Sequence, residues 1–226
     1  MTDETRRGYR VEITIDATPD EVWSALRDRE TLERWFGWDY ADLGPEIELI
    51  FFTAATADEA RRRLDLGNRS SIELVDAGAR TVVRVVQAGP GDDSDWAELY
   101  DGEREGWRQF FVQLRHMLRR GRGEGRRTLR LSGRGAGRAV LDAVDRRFAG
   151  PVDDEGPFQR TTRPGSGAVG LANVCAEAPF ARGEVSDVAL TLTTHGLDEE
   201  GFGAFVAETV RWWEALTEPP RRVEQA

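Results

Sequence analysis

Polar and apolar residues alternate strictly over residues 9–15, with Tyr9, Val11, Ile13 and Ile15 set against Arg10, Glu12 and Thr14. A period of two puts the apolar set on one face of a β-strand. A helix follows at once. Thr18-Pro19-Asp20-Glu21 supplies a capping hydroxyl, a proline at the first helical position and a glutamate three residues after the cap. Val22, Ala25 and Leu26 then share one helical face. A second short helix is predicted over 31–36, carrying Leu32, Trp35 and Phe36. Residues 45–52 fit a strand or a short helix opened by Pro45, and their pattern leaves the two readings open. Strands are predicted over 61–66, 70–75 and 81–87, joined by turns at Gly67-Asn68 and Asp76-Ala77-Gly78, so they should be antiparallel neighbours. A long helix is predicted over 96–120. Asp92, Asp93, Asp95, Glu98, Asp101, Glu103 and Glu105 crowd its start and Arg115, Arg119 and Arg120 its end, a polarity that suits the helix dipole.

Glycine and charge interrupt the periodicity near residues 121–126, which read as a linker between a lobe over 8–120 and a second over 127–218. The second lobe is predicted as a strand (127–132), a glycine turn (Gly133–Gly137), a helix (138–148), a long loop (150–167), strands over 168–177 and 187–194, and a helix over 198–216 stopped by Pro219-Pro220. The β-α-β-β-α order resembles that of the first lobe. Ile13 and Ile15 fall on Leu129 and Leu131, and Val22, Ala25, Leu26 and Arg29 on Val140, Ala143, Val144 and Arg147, with a two-residue insertion between the sets. The second lobe is thus a candidate degenerate repeat.

The 226 residues carry 31 arginines, no lysine and 41 acids, for a net charge of −10, which argues against general nucleic-acid affinity. One stretch is different. Nine arginines (115, 119, 120, 122, 126, 127, 130, 134 and 138) face a single acid, Glu124, and they are read as docking on the protein's own carboxylates. One cysteine and two histidines exclude an intrachain disulfide and are too few for a structural zinc site. No cofactor or metal is expected. No apolar run approaches the roughly 20 residues of a membrane span. The first 15 residues lack a signal-peptide core, so the reading is a soluble cytoplasmic protein.

Candidates for chemistry are weak. Gly133-Arg134-Gly135-Ala136-Gly137 could cradle phosphate at a helix start, but its spacing is not the dinucleotide fingerprint. Cys175 lies in an apolar strand and reads as core, His195 in a turn, and His116 as a surface or linker contact. No serine follows a nucleophile-elbow pattern, so no catalytic residue is assigned.

The strand over 11–15, the turn Ala17-Thr18-Pro19-Asp20-Glu21-Val22-Trp23, the segment Leu32-Glu33-Arg34-Trp35-Phe36, and Glu105-Gly106-Trp107 on a helix with Leu114 and Leu118 together carry a resemblance. Over residues 8–120 the chain resembles the START/polyketide-cyclase (SRPBCC, Bet v-like) superfamily, and within it the branch homologous to the activator of the heat-shock-protein-90 ATPase. The resemblance implies an α+β helix-grip fold: an antiparallel sheet wrapped on a long C-terminal helix, with a hydrophobic cavity between them. The short region between Trp35 and Arg61 departs from that pattern, and the second lobe has no counterpart in single-domain members.

Trp35, Phe36, Trp38 and Tyr40 put four rings into six residues, and Trp107, Phe111, Leu114 and Leu118 recur at i, i+4, i+7 and i+11, with Phe110 beside them. These residues read as core or as the lining of a ligand cavity. The ligand-binding set is Trp35, Phe36, Trp38, Tyr40, Trp107, Phe110, Phe111 and Leu114. The leading expectation is non-enzymatic binding of a small hydrophobic molecule. The alternatives are a co-chaperone-like interaction module with a protein partner, which would link the chain to stress response, and a cyclase-like enzyme.

Overall fold

The computed structural model describes residues 8–67, 69–89, 101–120, 125–165 and 167–220. The chain divides into two compact units, Met1–Gly123 and Glu124–Ala226. Each is α+β, with its own five-stranded antiparallel sheet in a helix-grip-like order.

Unit 1 opens with β1 (Tyr9–Ile15), buried at every second residue as its alternation requires. Helix α1 (Pro19–Arg27) starts from a complete capping box: Thr18 N–H donates to Glu21 Oε2 (2.8 Å) and Glu21 N–H donates to Thr18 Oγ1 (3.3 Å). Asp28 caps α2 (Arg29–Glu33) by accepting from the Thr31 N–H at 2.8 Å. This helix is shorter than the predicted 31–36. The Trp35 and Phe36 amides fold back onto the Leu32 carbonyl as a closing turn, at 3.1 and 2.8 Å.

The ambiguous segment is helical. It forms α3 (Leu43–Glu48) and then one wider turn (Leu49–Thr53), in which the Ala54 amide reaches the Leu49 carbonyl five residues back. Strands β2 (Thr56–Asp58), β3 (Arg63–Asp65), β4 (Ser70–Asp76) and β5 (Thr81–Gln87) follow; β2 is not among the predicted strands. The sheet order is β1-β5-β4-β3-β2, antiparallel throughout. Its apolar face carries Val11, Ile13, Val83, Val85, Ile72 and Leu64. Its other face bears a ladder of opposite charges: Arg63 pairs with Glu73, and Arg84 reaches Glu12 at 2.5 Å and Glu73 at 3.7 Å.

Helix α4 (Gly102–Arg120) packs on β1. Asp101 caps it, accepting from the Glu103 and Arg104 amides at 2.9 and 3.1 Å. The predicted first turns, 96–100, lie outside the described residues, as do Asn68 of the Gly67-Asn68 turn and the acids Asp92, Asp93, Asp95 and Glu98. His116 is buried, against the surface position expected of it.

Unit 2 contains β6 (Arg126–Ala136), α5 (Gly137–Arg147), β7 (Val152–Glu155), β8 (Gln159–Thr162), β9 (Val169–Ala176), β10 (Val185–His195) and α6 (Glu199–Leu216). Its sheet runs β6-β10-β9-β8-β7. First strand beside last, then back in sequence: the same order holds in unit 1.

Several expectations are corrected in unit 2. The predicted loop over 150–167 contains two strands, β7 and β8, whose short polar sequences carry little strand signal. Gly133–Gly137 is no phosphate-cradling turn, because β6 continues through Ala136 in register with β10, from His195↔Arg126 to Val185↔Ala136. Arg126, the last residue of the predicted linker, already belongs to that strand. His195 closes β10 rather than standing in a turn.

The apolar face of this sheet (Leu190, Leu192, Ala172 and Val174) packs with Val140, Leu141 and Val144 of α5. The opposite face is polar and largely buried, with Asn173 Nδ2 donating to Gln159 Oε1 (3.0 Å) and Thr161 Oγ1 (2.8 Å). Cys175 lies on that polar face, half-buried, rather than in the core.

Several described members of the arginine-rich stretch meet acids or a carbonyl of their own unit. Arg115 donates to the Thr14 carbonyl (3.5 Å) and Arg119 pairs with Asp16 (3.5 Å). Arg127 pairs with Glu199 (2.6 Å) and Arg138 with Asp142 (3.1 Å).

Candidate functional site

The rings singled out in the sequence converge at one end of unit 1. Gly37 makes this possible: its φ of +61° turns the chain between Phe36 and Trp38, and its carbonyl accepts from Gln113 Nε2 on α4 at 3.1 Å. Trp35 is fully buried, its Nε1 donating to the Ala25 carbonyl at 3.0 Å, so the one polar atom of the indole is satisfied. Its ring lies 5.8 Å from Phe36, 6.1 Å from Phe51 and 6.4 Å from Phe111. From α4, Trp107 meets Phe111 at 5.5 Å, Phe36 at 5.9 Å and Phe51 at 6.3 Å. Phe110 packs on Phe36 at 4.8 Å and on Trp38 at 6.1 Å, and Trp38 lies 6.4 Å from Tyr40.

Exposure rises along this chain of rings. Trp35, Phe36, Phe111 and Leu114 are buried, Trp107, Phe110 and Trp38 half-buried, and Tyr40 is 41% exposed. Phe51 belongs to the cluster and sequence reasoning missed it. The Phe51-Phe52 pair was visible, but only the helical form of 43–53 points the first ring inward. Its carbonyl accepts from Arg27 Nη1 at 2.7 Å, while the Arg29 guanidinium lies 3.9 Å over the Phe52 ring.

Four buried polar residues of α4 lie on its far side, one of them, Gln113, reaching round to the Gly37 carbonyl. At 100° per residue, Glu105, Gln109, Gln113 and His116 fall on the side of the helix roughly opposite Phe111 and Leu114. Among the described residues, no group of three or more His, Cys, Asp or Glu is placed to hold a metal, and no helix is long and apolar enough to cross a membrane.

No family model matches the chain, and no curated protein matches it. Among solved structures it is similar to the di-domain ARO/CYC BexL from the BE-7585A biosynthetic pathway, at 15% identity over 93% of each chain with a TM-score of 0.33. It is similar also to DynU16 of the dynemicin biosynthetic locus, at 15% identity over 93% of this chain and 96% of that one, TM-score 0.32. The di-domain ARO/CYC StfQ from the steffimycin biosynthetic pathway matches at 12% identity over 92% of this chain and 93% of that one, TM-score 0.32.

At the exposed end of the cluster, Tyr40 donates its hydroxyl to Glu46 Oε2. Desolvation, the hydrogen bond to Glu46 and the charges of Glu46 and Asp42 together push the phenol up to about 12. The neutral phenol is therefore favoured in the folded state. Its contribution holds below the ordinary tyrosine value and is lost as pH rises through about 12. In an ultraviolet titration, one of the three tyrosines should ionise well after a free phenol, and Tyr40→Phe should remove that late step; an unchanged profile would show Tyr40 to be unperturbed.

Proposed function

We propose that unit 1 binds a small hydrophobic molecule at the half-open end of its aromatic cluster, without catalysing a reaction on it. The observation that carries this reading is the gradient of exposure. Trp35, Phe36, Phe111 and Leu114 form a closed wall, while Trp107, Phe110, Trp38 and Tyr40 turn ring surface toward solvent. Covering such surface contributes about 25 cal/mol per Å². Aromatic surface of this kind with few polar groups is the usual make-up of a small-molecule site.

The cyclase-like reading needs acid–base groups at the rings, and the Tyr40–Glu46 pair at the exposed end of the cluster is the candidate for them. The co-chaperone reading, with its ATPase-activator and stress-response associations, rests on the sequence resemblance and on the uneven charge of the linker region. The relation of unit 2 to unit 1 as a degenerate repeat is likewise proposed, on the shared strand order.

Phe110→Ala should weaken binding of a fluorescent naphthalene probe several-fold while lowering the melting temperature only slightly, because the side chain is half-buried. Parallel loss of binding and stability would reduce the cluster to core packing.

A further inference from the structure

The wider turn that follows α3 carries four consecutive apolar residues, Leu49-Ile50-Phe51-Phe52. In an unbroken α-helix Leu43, Ile47, Ile50 and Ala54 would share the core face, at i, i+4, i+7 and i+11. The wide turn buries Phe51 instead. Ile50 and Phe52 are left half-buried, and Leu49 is 57% exposed. Turns of this kind are rare and recur at functional sites. A run of apolar residues at the surface, rimmed by polar groups, marks a place where another molecule binds.

The rim of this patch is acidic. Asp42, Glu46 and Leu49 fall at i, i+4 and i+7, so the outward stripe of α3 passes from two acids into the apolar run. Glu33 extends the rim from the neighbouring helix α2, on the same side as Arg29. Among the described residues, Glu33, Asp42 and Glu46 have no arginine partner. The cations at Phe52 are already engaged. Arg29 pairs with Glu48 at 2.7 Å and lies 3.9 Å over the Phe52 ring, and Arg27 donates to the Phe51 carbonyl at 2.7 Å.

We propose that this face of unit 1 docks a basic amphipathic helix of a partner protein. The apolar side of that helix covers Leu49, Ile50 and Phe52, and its lysines or arginines face Glu33, Asp42 and Glu46. Charge complementarity selects this occupant. An anionic lipid surface or a nucleic acid would meet the acids with like charge, and a second copy of this chain, at a net charge of −10, would bring the same acidic rim to a twofold contact. Burial of the apolar run supplies affinity, and the acids supply orientation and speed of encounter. Leu49, Ile50 and Phe52 are not part of the proposed small-molecule site, so the assignment stands apart from that reading.

The test titrates the full chain, by fluorescence anisotropy, against a labelled amphipathic peptide of leucine and lysine, about four helical turns long, and against its leucine–glutamate counterpart. Wild type is compared with Leu49→Ser, with Glu33→Gln/Asp42→Asn, and with Glu200→Gln/Glu214→Gln, which removes the same charge from the exposed side of α6. Leu49 is exposed and Asp42 makes no side-chain cap on α3, so the patch variants keep their fold, and thermal melting verifies it.

The lysine peptide should bind the wild type and weaken as salt rises. Leu49→Ser and the Glu33/Asp42 pair should each weaken it about fivefold, and the α6 pair should leave it unchanged. Equal weakening by the α6 pair would reduce the binding to general charge attraction and overturn the assignment. So would wild-type affinity in Leu49→Ser, equal affinity for the glutamate peptide, or no binding of the lysine peptide at all. A dimer in sedimentation that Leu49→Ser abolishes would hand the face to a second copy, and overturns it too.

Discussion

Trp35→Ala is expected to destabilise unit 1 by about 3–5 kcal/mol, the usual cost of truncating a fully buried large aromatic side chain. Three rings lean on this indole, those of Phe36, Phe51 and Phe111, and each such pair contributes about 0.5–1.5 kcal/mol beyond the area it covers. Truncation also leaves the Ala25 carbonyl, at the end of α1, without its indole donor. The loss therefore spreads to four elements: α1, the turn after α2, the Leu49–Thr53 turn and α4. Chemical denaturation of Trp35→Ala beside Phe110→Ala measures the contrast. A Trp35→Ala effect no larger than that of the half-buried Phe110 would mean that the rings do not form one interlocked body.

Gly133→Ala should cost about 1–3 kcal/mol, in the range of overpacking a closed interior. A Cβ at this position would stand 2.5 Å from Thr217 Oγ1, 2.8 Å from Thr217 Cβ and 3.1 Å from the Glu218 carbonyl oxygen. Rotation of the threonine would relieve the contact with its Oγ1 but not that with its Cβ. The carbonyl could not shift, because it accepts the Arg134 amide at 2.8 Å and fixes the chain after α6 along the edge of β6. Gly165→Ala, with nothing within 4 Å of its added carbon, is the matched control. Thermal melting of the two variants decides the matter, and equal melting points would show that the chain end yields at no cost.

Legibility followed the strength of local chemistry. The β1 alternation, the Thr18 capping box and the Asp198 start of α6, where Oδ1 accepts the Gly201 amide at 2.8 Å, are written in adjacent residues and were readable. Strands β2, β7 and β8 were not. They have three or four residues each, are mostly polar, and exist because a neighbouring strand offers them a hydrogen-bonding edge. The Gly133 stretch misled for a related reason. Glycine there accommodates the close approach of Thr217 and Glu218, more than eighty residues later in the chain, and a local reading takes it for a turn.

At the candidate site, the ring-bearing residues could be named because aromatics are conspicuous. Phe51 could not, since its direction depends on a helical turn whose pattern fitted a strand equally well.

The strand order itself has a consequence for synthesis. In each unit the first strand hydrogen-bonds the last, so the sheet cannot close on its own leading edge until nearly the whole unit has left the ribosome. Tyr9–Ile15 must wait for Thr81–Gln87, and Arg126–Ala136 for Val185–His195, each with its apolar face uncovered in the meantime. A nascent chain arrested after β4 would be expected to remain protease-sensitive and to engage holdase chaperones, and one released past α4 to resist digestion over its first half.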